Sequence, residues 1–439
     1  MAKICMISLG CAKNLVNSEQ MLCMLSDAGL ELVGDPQGAD VAIINTCGFI
    51  NDAKVEAIDY ILYMGQLKEM GVLKKLIVTG CLAQRYGDQL FEEMPEIDAV
   101  VGTGSYNQII QAVAAVLQSN DKFGFYQDIN APEEECGRII TTGCRWAYLK
   151  IAEGCSNNCA YCVIPSIRGK YRSRPMDAIV SEAKALVASG YRELIVVAQD
   201  ITRYGTDLYG KKSLCKLLRE LCAIEDLKWI RLHYLYPEMV DDELISLVAE
   251  EEKILKYLDI PIQHISTPVL KRMNRRGTGD DIRNLFAKLK ERIPNIVLRT
   301  SIIAGLPGET DEDFEELCSF LRKAKIQRAG VFPYSPEEGT PAAEMERPDE
   351  DVAKRRAELL FAVQFDVMDE FNNSRIGTTT TVLCEGFDEE SGCWYGRSYA
   401  ESPDVDGRVL FTGEDIEPDE FYEVRITEIN CGEPYGERV

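Results

Sequence analysis

With 439 residues, 46% of them hydrophobic, the chain is long enough for roughly two to four domains with full cores. No apolar run approaches the ~20 residues of a membrane span, and the first residues carry a strand-like pattern rather than a signal peptide, so a cytoplasmic protein is expected. The net charge of −24 speaks against a general nucleic-acid binder, whose affinity comes from basic contacts to phosphate, and suits a basic partner.

Residues 1–117 alternate short apolar runs (3–8, 41–45, 76–79 and 99–101) with helical patterns near 18–28, 53–69, 88–93 and 108–117. Such alternation predicts an open parallel α/β sheet. Cys11, Cys47 and Cys81 each fall one to three residues after one of the first three runs. In an open parallel sheet, ligands gather beyond the carboxyl ends of the strands. Three cysteines far apart in sequence are thereby expected at one sheet edge, either as a metal-binding trio or as buried core thiols. The polar stretch 119–143, with Pro132 and the acidic residues Glu133, Glu134 and Glu135, reads as a linker, with Cys136 and Cys144 in or beside it.

Residues 145–335 hold six further apolar runs, at 146–151, 194–198, 229–232, 257–260, 297–303 and 329–332. Helical patterns at 177–189, 213–224, 241–251, 280–292 and 311–324 separate them. Six such units predict a partial, open (βα)6 barrel, with its active site on the face to which the strands point. Cys155, Cys159 and Cys162 follow the first of these runs, and polar residues follow others: Gln199 and Asp200, His233 and Tyr234, Gln263 and His264. A long helical pattern at 349–372 leads into a last module, 377–439, whose alternating runs predict a small antiparallel β-barrel of OB-like size. That module has four Arg, no Lys and 16 Asp plus Glu, a net −12 and half the charge of the whole chain. The expected divisions are 1–118, a linker 119–140, 141–373 and 374–439.

The 16 Cys are scattered, not framed as in small secreted folds, so clusters of them read as metal sites or catalytic thiols. With only His233 and His264, a His-rich metal site or relay is not expected. The run Gly-Cys-Ser-Asn-Asn-Cys-Ala-Tyr-Cys at 154–162 spaces three thiolates as C-x3-C-x2-C. A four-iron cluster usually takes four cysteines. Three leave one iron open to a guest, and an amino acid's amino and carboxylate groups can chelate it. If the guest is S-adenosylmethionine, a low-potential cluster can pass an electron into its sulfonium and break a carbon–sulfur bond.

This spacing closely resembles the radical S-adenosylmethionine superfamily. Ser8-Leu-Gly-Cys-Ala-Lys-Asn-Leu-Val-Asn-Ser-Glu19, Asn45-Thr-Cys-Gly-Phe-Ile50 and Thr79-Gly-Cys-Leu-Ala-Gln84 resemble the amino-terminal domain of its methylthiotransferase family. Cys155–Cys162 with Ile164-Pro-Ser-Ile-Arg-Gly169 and Arg172-Ser-Arg-Pro175 resemble that family's radical domain, and the last module its TRAM domain. Ser8-Leu-Gly-Cys-Ala-Lys-Asn14, Ala198-Gln-Asp200 and Leu232-His-Tyr-Leu-Tyr-Pro237 look like the branch that modifies an aspartate of the small-subunit ribosomal protein twelve. The tRNA branch usually has Asn where Asp200 stands. Asn17 departs from an Asp common in both branches and is expected to be without consequence.

The resemblance implies two [4Fe-4S] clusters, one on Cys155, Cys159 and Cys162 and a second on Cys11, Cys47 and Cys81. It implies that one S-adenosylmethionine methylates a sulfur held at the second cluster. Another is cleaved at the first, and the resulting radical takes a hydrogen from the aspartate β-carbon, which then receives the methylthio group. Tyr161, Gln199 and Gln263 are, from position, the candidates to bind the adenosyl group, while His233 and His264 are expected to shape the pocket. The implied partners are the basic ribosomal protein, an electron donor and a sulfur donor, with nucleic acid met only through the ribosome. The competing readings are a tRNA adenosine methylthiotransferase and a non-catalytic iron–sulfur protein that binds the ribosome or transfers electrons.

Overall fold

The structure is a computed structural model that describes residues 1–439 apart from Cys144, so the thiol expected beside the linker at that position lies outside the described residues. The first sheet comprises β1 (Lys3–Ser8), β2 (Glu31–Val33), β3 (Val41–Thr46), β4 (Lys75–Gly80), β5 (Ala99–Val101) and β6 (Phe123–Phe125), in the order β2-β1-β3-β4-β5-β6. All pairings are parallel. The central strand β3 is buried at every residue and β4 at all but its first. Their β-branched runs suit a sheet covered on both faces, and separate apolar cores lie on its two sides. Only the edge strands β2 and β6 escape the apolar pattern. Each is three residues long, too short to show a period. β6 lies inside the stretch read as a linker and is held by pairing Phe123 and Phe125 with Ala99 and Val101.

A second parallel sheet follows: β7 (Trp146–Lys150), then a short antiparallel pair, β8 (Ala152–Glu153) and β9 (Arg172–Ser173), then β10 (Glu193–Val197), β11 (Trp229–Leu232), β12 (Ile254–Asp259), β13 (Val297–Ala304) and β14 (Arg328–Pro333). The order β7-β10-β11-β12-β13-β14 follows the chain without a swap, the arrangement of a barrel wall left open. Alternate side chains divide between its faces. Ile230, Leu232, Leu258 and Leu298 join the helices in the largest core. Trp229, Tyr257 and Val297 face the other way, against Leu383, Ala400 and Phe421.

The chain ends in a closed five-stranded barrel of β15 (Thr379–Asp388), β16 (Cys393–Arg397), β17 (Val409–Thr412), β18 (Phe421–Asn430) and β19 (Glu433–Arg438), ordered β15-β16-β17-β19-β18. One pairing, β17 with β19, is parallel rather than antiparallel, because β18 crosses over to meet β15. This is the Greek-key path of an OB-type barrel.

The open wall is filled from both neighbours. Ala12, Leu15 and Val16 from the helix Ala12–Asp27 pack on Trp146, Tyr148, Ile195 and Val197. From the last module, the β16–β17 loop enters. Arg231 donates to the carbonyls of Ser398 and Tyr399, His233 Nε2 lies 2.9 Å from Ser402 Oγ, and Tyr257 donates to Asp406 at 2.5 Å. Buried ion pairs Arg397–Glu193 and Arg328–Glu401 fasten it.

Candidate active site

Cys11, Cys47 and Cys81 follow β1, β3 and β4, beside the point where the strand order reverses between β1 and β3. That is where an open α/β sheet leaves a crevice for ligands. Cys11 is the N-cap of the helix Ala12–Asp27, and Cys81 opens the helix Cys81–Tyr86. Gly10 sits at φ +90°, and a Cβ there would stand 2.8 Å from Cys47 Cβ, so only glycine lets the two loops close on each other. Asn14 ties them. Its Nδ2 donates to the carbonyls of Leu9 at 2.7 Å and Thr46 at 3.2 Å, while Asn45 Nδ2 donates to the Asn14 carbonyl at 2.9 Å.

Cys155, Cys159 and Cys162 follow β8, on the same side of the second sheet. Gly154, at φ +76°, starts their loop, and a Cβ there would lie 2.2 Å from the Lys170 carbonyl oxygen. The loop is braced within: Cys155 N–H donates to the Gly169 carbonyl at 3.0 Å and Ala160 N–H to the Met273 carbonyl at 2.9 Å. Asn157 Nδ2 donates to Asp200 Oδ2 at 3.0 Å. Cys159 Sγ is 3.1 Å from Tyr236 Oη, and Arg275 Nη1 approaches it at 3.9 Å.

The two trios share one wall. Cys81 packs on Val163 and Ile167, and Val163 directly follows Cys162. Arg168, from the same short helix Ile164–Arg168, reaches across into the first trio and is 3% exposed. Its guanidinium donates to Asn14 Oδ1 at 2.9 Å, Asn17 Oδ1 at 3.2 Å and Glu153 Oε2 at 2.9 Å, and it hydrogen-bonds the Cys81 thiol. Glu153 also takes Lys150 at 3.1 Å, Gln199 at 2.7 Å and the Gly154 N–H at 3.0 Å. The interface is clamped at its rim, where Arg85 and Lys54 reach Glu337 at 2.6 and 3.0 Å. Asn17, expected to be inconsequential, is thus part of the wall between the trios.

Electrostatics separate the thiols. Burial pushes Cys47 up to about 12, helped by the neighbouring Cys81 and Cys11. Burial likewise raises Cys81 and Cys155, and holds Cys162 at about 12. Burial also opposes ionisation of Cys11, but Lys13, Arg168 and the backbone N–H groups of Asn14 and Lys13 outweigh it and bring that thiol below its ordinary range. Each trio's members feel one another. Among the described residues, no three His, Cys, Asp or Glu side chains converge on a single metal ion. A cluster has the other requirement, since each thiolate binds a different iron and the sulfurs stand further apart.

Of the remaining sequence candidates, Tyr161 lies against Cys159 and Arg275, Gln199 is held by Glu153, and Gln263 sits at φ +69°, with its backbone bridged to Ser301 and Ile303. His233 is buried and its pKa falls well below the ordinary value, first through burial and then through Arg231 and Arg299, so it is neutral. Glu309, in the Gly-Leu-Pro-Gly-Glu turn, accepts from Gly305 N–H at 2.8 Å and pairs with Arg356. The sequence reading did not single out Lys13, Asn14, Glu153 and Arg168. Lys13, Asn14 and Arg168 stand inside motifs quoted for their resemblance, which was the available signal.

The Radical SAM superfamily model matches residues 149–321, the model of Uncharacterized protein family UPF0004 matches residues 3–102, and a TRAM domain matches residues 376–439. This order defines the class: a radical S-adenosylmethionine enzyme flanked by a cysteine-bearing α/β domain and a small barrel. Curated relatives match along their whole length. The ribosomal protein uS12 methylthiotransferase RimO of Lachnoclostridium phytofermentans is 48% identical over 429 residues, 97% of each chain. The protein of the same name from Geotalea uraniireducens is 47% identical over 440 residues, covering 100% of this chain and 98% of the relative. The chain belongs to the RimO family of ribosomal protein uS12 methylthiotransferases. Among solved structures, the radical S-adenosylmethionine methyltransferase TsrM from Kitasatospora setae aligns with a TM-score of 0.56 at 16% identity, over 78% of this chain and 75% of that one. The cobalamin-dependent radical enzyme OxsB aligns at 0.51 and 10% identity, over 84% and 58%. Those two likenesses concern the fold.

Proposed function

We propose that this chain is the radical S-adenosylmethionine methylthiotransferase that places a methylthio group on the β-carbon of an aspartate of ribosomal protein uS12. The observation that carries the reading is the meeting of two cysteine trios at one interface, in a chain whose full-length relatives are named ribosomal protein uS12 methylthiotransferases. Each trio fits a four-iron cluster with one iron left for a guest: three thiols in mutual electrostatic reach, on loops that glycine lets close. Cys155, Cys159 and Cys162 would hold one cluster, and Cys11, Cys47 and Cys81 the second. When bound, such clusters with S-adenosylmethionine supply the one-electron chemistry that an unactivated C–H bond requires.

The chain's own groups prepare the place. Arg168 brings positive charge to thiols that burial would otherwise keep protonated. Asn157 Oδ1, Gln199 Oε1 and Arg203 Nη2 are buried without a hydrogen-bond partner among the described residues. Buried polar atoms are almost always paired, so these suit a polar guest such as S-adenosylmethionine, and Gln199, Gln263 and Tyr161 are the candidates to meet its adenosyl part. The acidic last module suits a basic ribosomal protein and repels tRNA phosphates. Among the described residues no helix is long and apolar enough to cross a membrane. The reading also calls for an electron donor and a sulfur donor.

Deleting the gene and analysing uS12 and bulk tRNA by mass spectrometry tests this. Loss of one methylthio group from uS12, restored by the gene, is expected. Intact uS12 with loss from tRNA instead would assign the chain to the other branch.

A further inference from the structure

Two cations lie buried beside the first trio, and they differ in their partners. Arg168 is saturated by the protein, with Asn14, Asn17, Glu153 and Cys81 around its guanidinium. Lys13 is 6% exposed, and no carboxylate among the described residues pairs with it. Its ammonium lies 3.5 Å from the ring centroid of Tyr234, a contact that attracts a cation but does not neutralise it. The Cys11 thiol is within its electrostatic reach, but that thiolate's charge would go to iron once a cluster is bound. A buried ammonium is normally met by a carboxylate, and the residue facing this one holds an uncommon backbone conformation. Tyr234 sits at φ +63°, a left-handed conformation that a bulky residue seldom adopts, and such strain collects at ligand-binding positions. It is fastened by its N–H to Asp259 Oδ2 at 3.2 Å. Tyr234 follows β11 at the mouth of the open barrel, where it packs against the same apolar cluster as Ala12 and Leu15 of the helix that carries Lys13.

We propose that Lys13 is the specificity-determining residue that receives the side-chain carboxylate of the acceptor aspartate. The proposal rests on the uS12 reading above. The chemistry is economical: the carbon to be modified is bonded directly to that carboxylate, so a cation that holds the carboxylate holds the reacting carbon one bond away. Lys13 is two residues from Cys11, so the carbon is then held beside the trio assigned to the sulfur. Asparagine is nearly isosteric with aspartate but brings no charge, and leaves the ammonium unpaired.

The test compares reconstituted wild-type enzyme with Lys13→Met and Lys13→Arg, using purified uS12 and uS12 with asparagine in place of the target aspartate. Two quantities are read: equilibrium binding of each uS12 form, and methylthio product. Wild type is expected to prefer the aspartate form by about 10- to 100-fold in binding, the range of a buried charge-assisted hydrogen bond. K13M is expected to bind both forms equally and to make little product, with its iron content and its S-adenosylmethionine cleavage on reduction unchanged. K13R is expected to restore most of the preference. A K13M enzyme that retains the aspartate preference overturns the proposal. So does K13M with reduced iron content alongside normal iron in K13R, because Lys13 would then serve the cluster. If wild type does not modify uS12 at all, the uS12 reading itself fails, a result separate from either.

Discussion

Replacing Arg168 by Met removes a side chain that reaches from the loop of the second trio into the first. Arg168 donates to Glu153 at 2.9 Å, Asn14 at 2.9 Å and Asn17 at 3.2 Å. Breaking a buried, hydrogen-bonded ion pair from one side costs about 3–5 kcal/mol. Glu153 would keep Lys150, Gln199 and the Gly154 N–H, so the low end applies, ~3 kcal/mol. At about 1.4 kcal/mol per decade, that is roughly a 100-fold rise in the population in which the N-terminal domain lifts off the barrel. Hydrogen exchange on the iron-free protein reads it directly. Amides of the helices Ala12–Asp27 and Cys81–Tyr86 are expected to exchange ~100-fold faster in R168M, while the helix Asp311–Ala324 keeps its protection. R168K should fall between, since lysine restores the charge without the fork that serves several acceptors at once. Acceleration of less than about threefold in the first two helices would refute the role given to Arg168 as the tie across this interface.

Mutating Cys11, Cys47 and Cys81 together to Ala is expected to lower iron from about eight to about four per chain in anaerobically reconstituted protein; unchanged iron would leave those thiols as core residues. Gly154→Ala places a Cβ 2.2 Å from the Lys170 carbonyl at φ +76°, which should cost at least about 2 kcal/mol and depress the melting temperature, whereas Gly29→Ala, with open space around it, should show only the milder backbone penalty. Burial opposes ionisation of Glu401, but Arg375 and Arg328 overcome it and hold the carboxyl at about 2. Its pKa is depressed on folding, so its contribution is complete above about 4.5 and is lost as the pH falls toward about 2. Trp229, stacked edge-on against Phe421 at 4.8 Å, should report release of the last module by fluorescence in that window. Glu401→Gln should flatten this response, and an unchanged acid profile would show that the pair does not hold the module.

The sequence by itself determined what depends on neighbours in the chain. The strand at residues 229–232 and the helix at residues 311–324 were legible to the residue, because apolar period and capping chemistry are local. The Cys155–Cys159–Cys162 loop was legible for the same reason: its three thiols are placed by one turn of backbone that needs glycine at residue 154. Cys11, Cys47 and Cys81 could be grouped because successive parallel strands end at the same edge. Only the tertiary structure decided which groups face each other over long separations. Arg168 meets Asn14 across 154 positions, and His233 meets Ser402 across 169. No periodicity encodes such pairs, since they follow from how the two sheets and the barrel pack together. Docking also decided that Glu401 and Asp406, counted with the acidic tail, are spent inside the molecule on Arg328, Arg375 and Tyr257. The same docking saturates Arg168 and leaves Lys13 without a carboxylate partner among the described residues, a difference between two basic residues that composition cannot express.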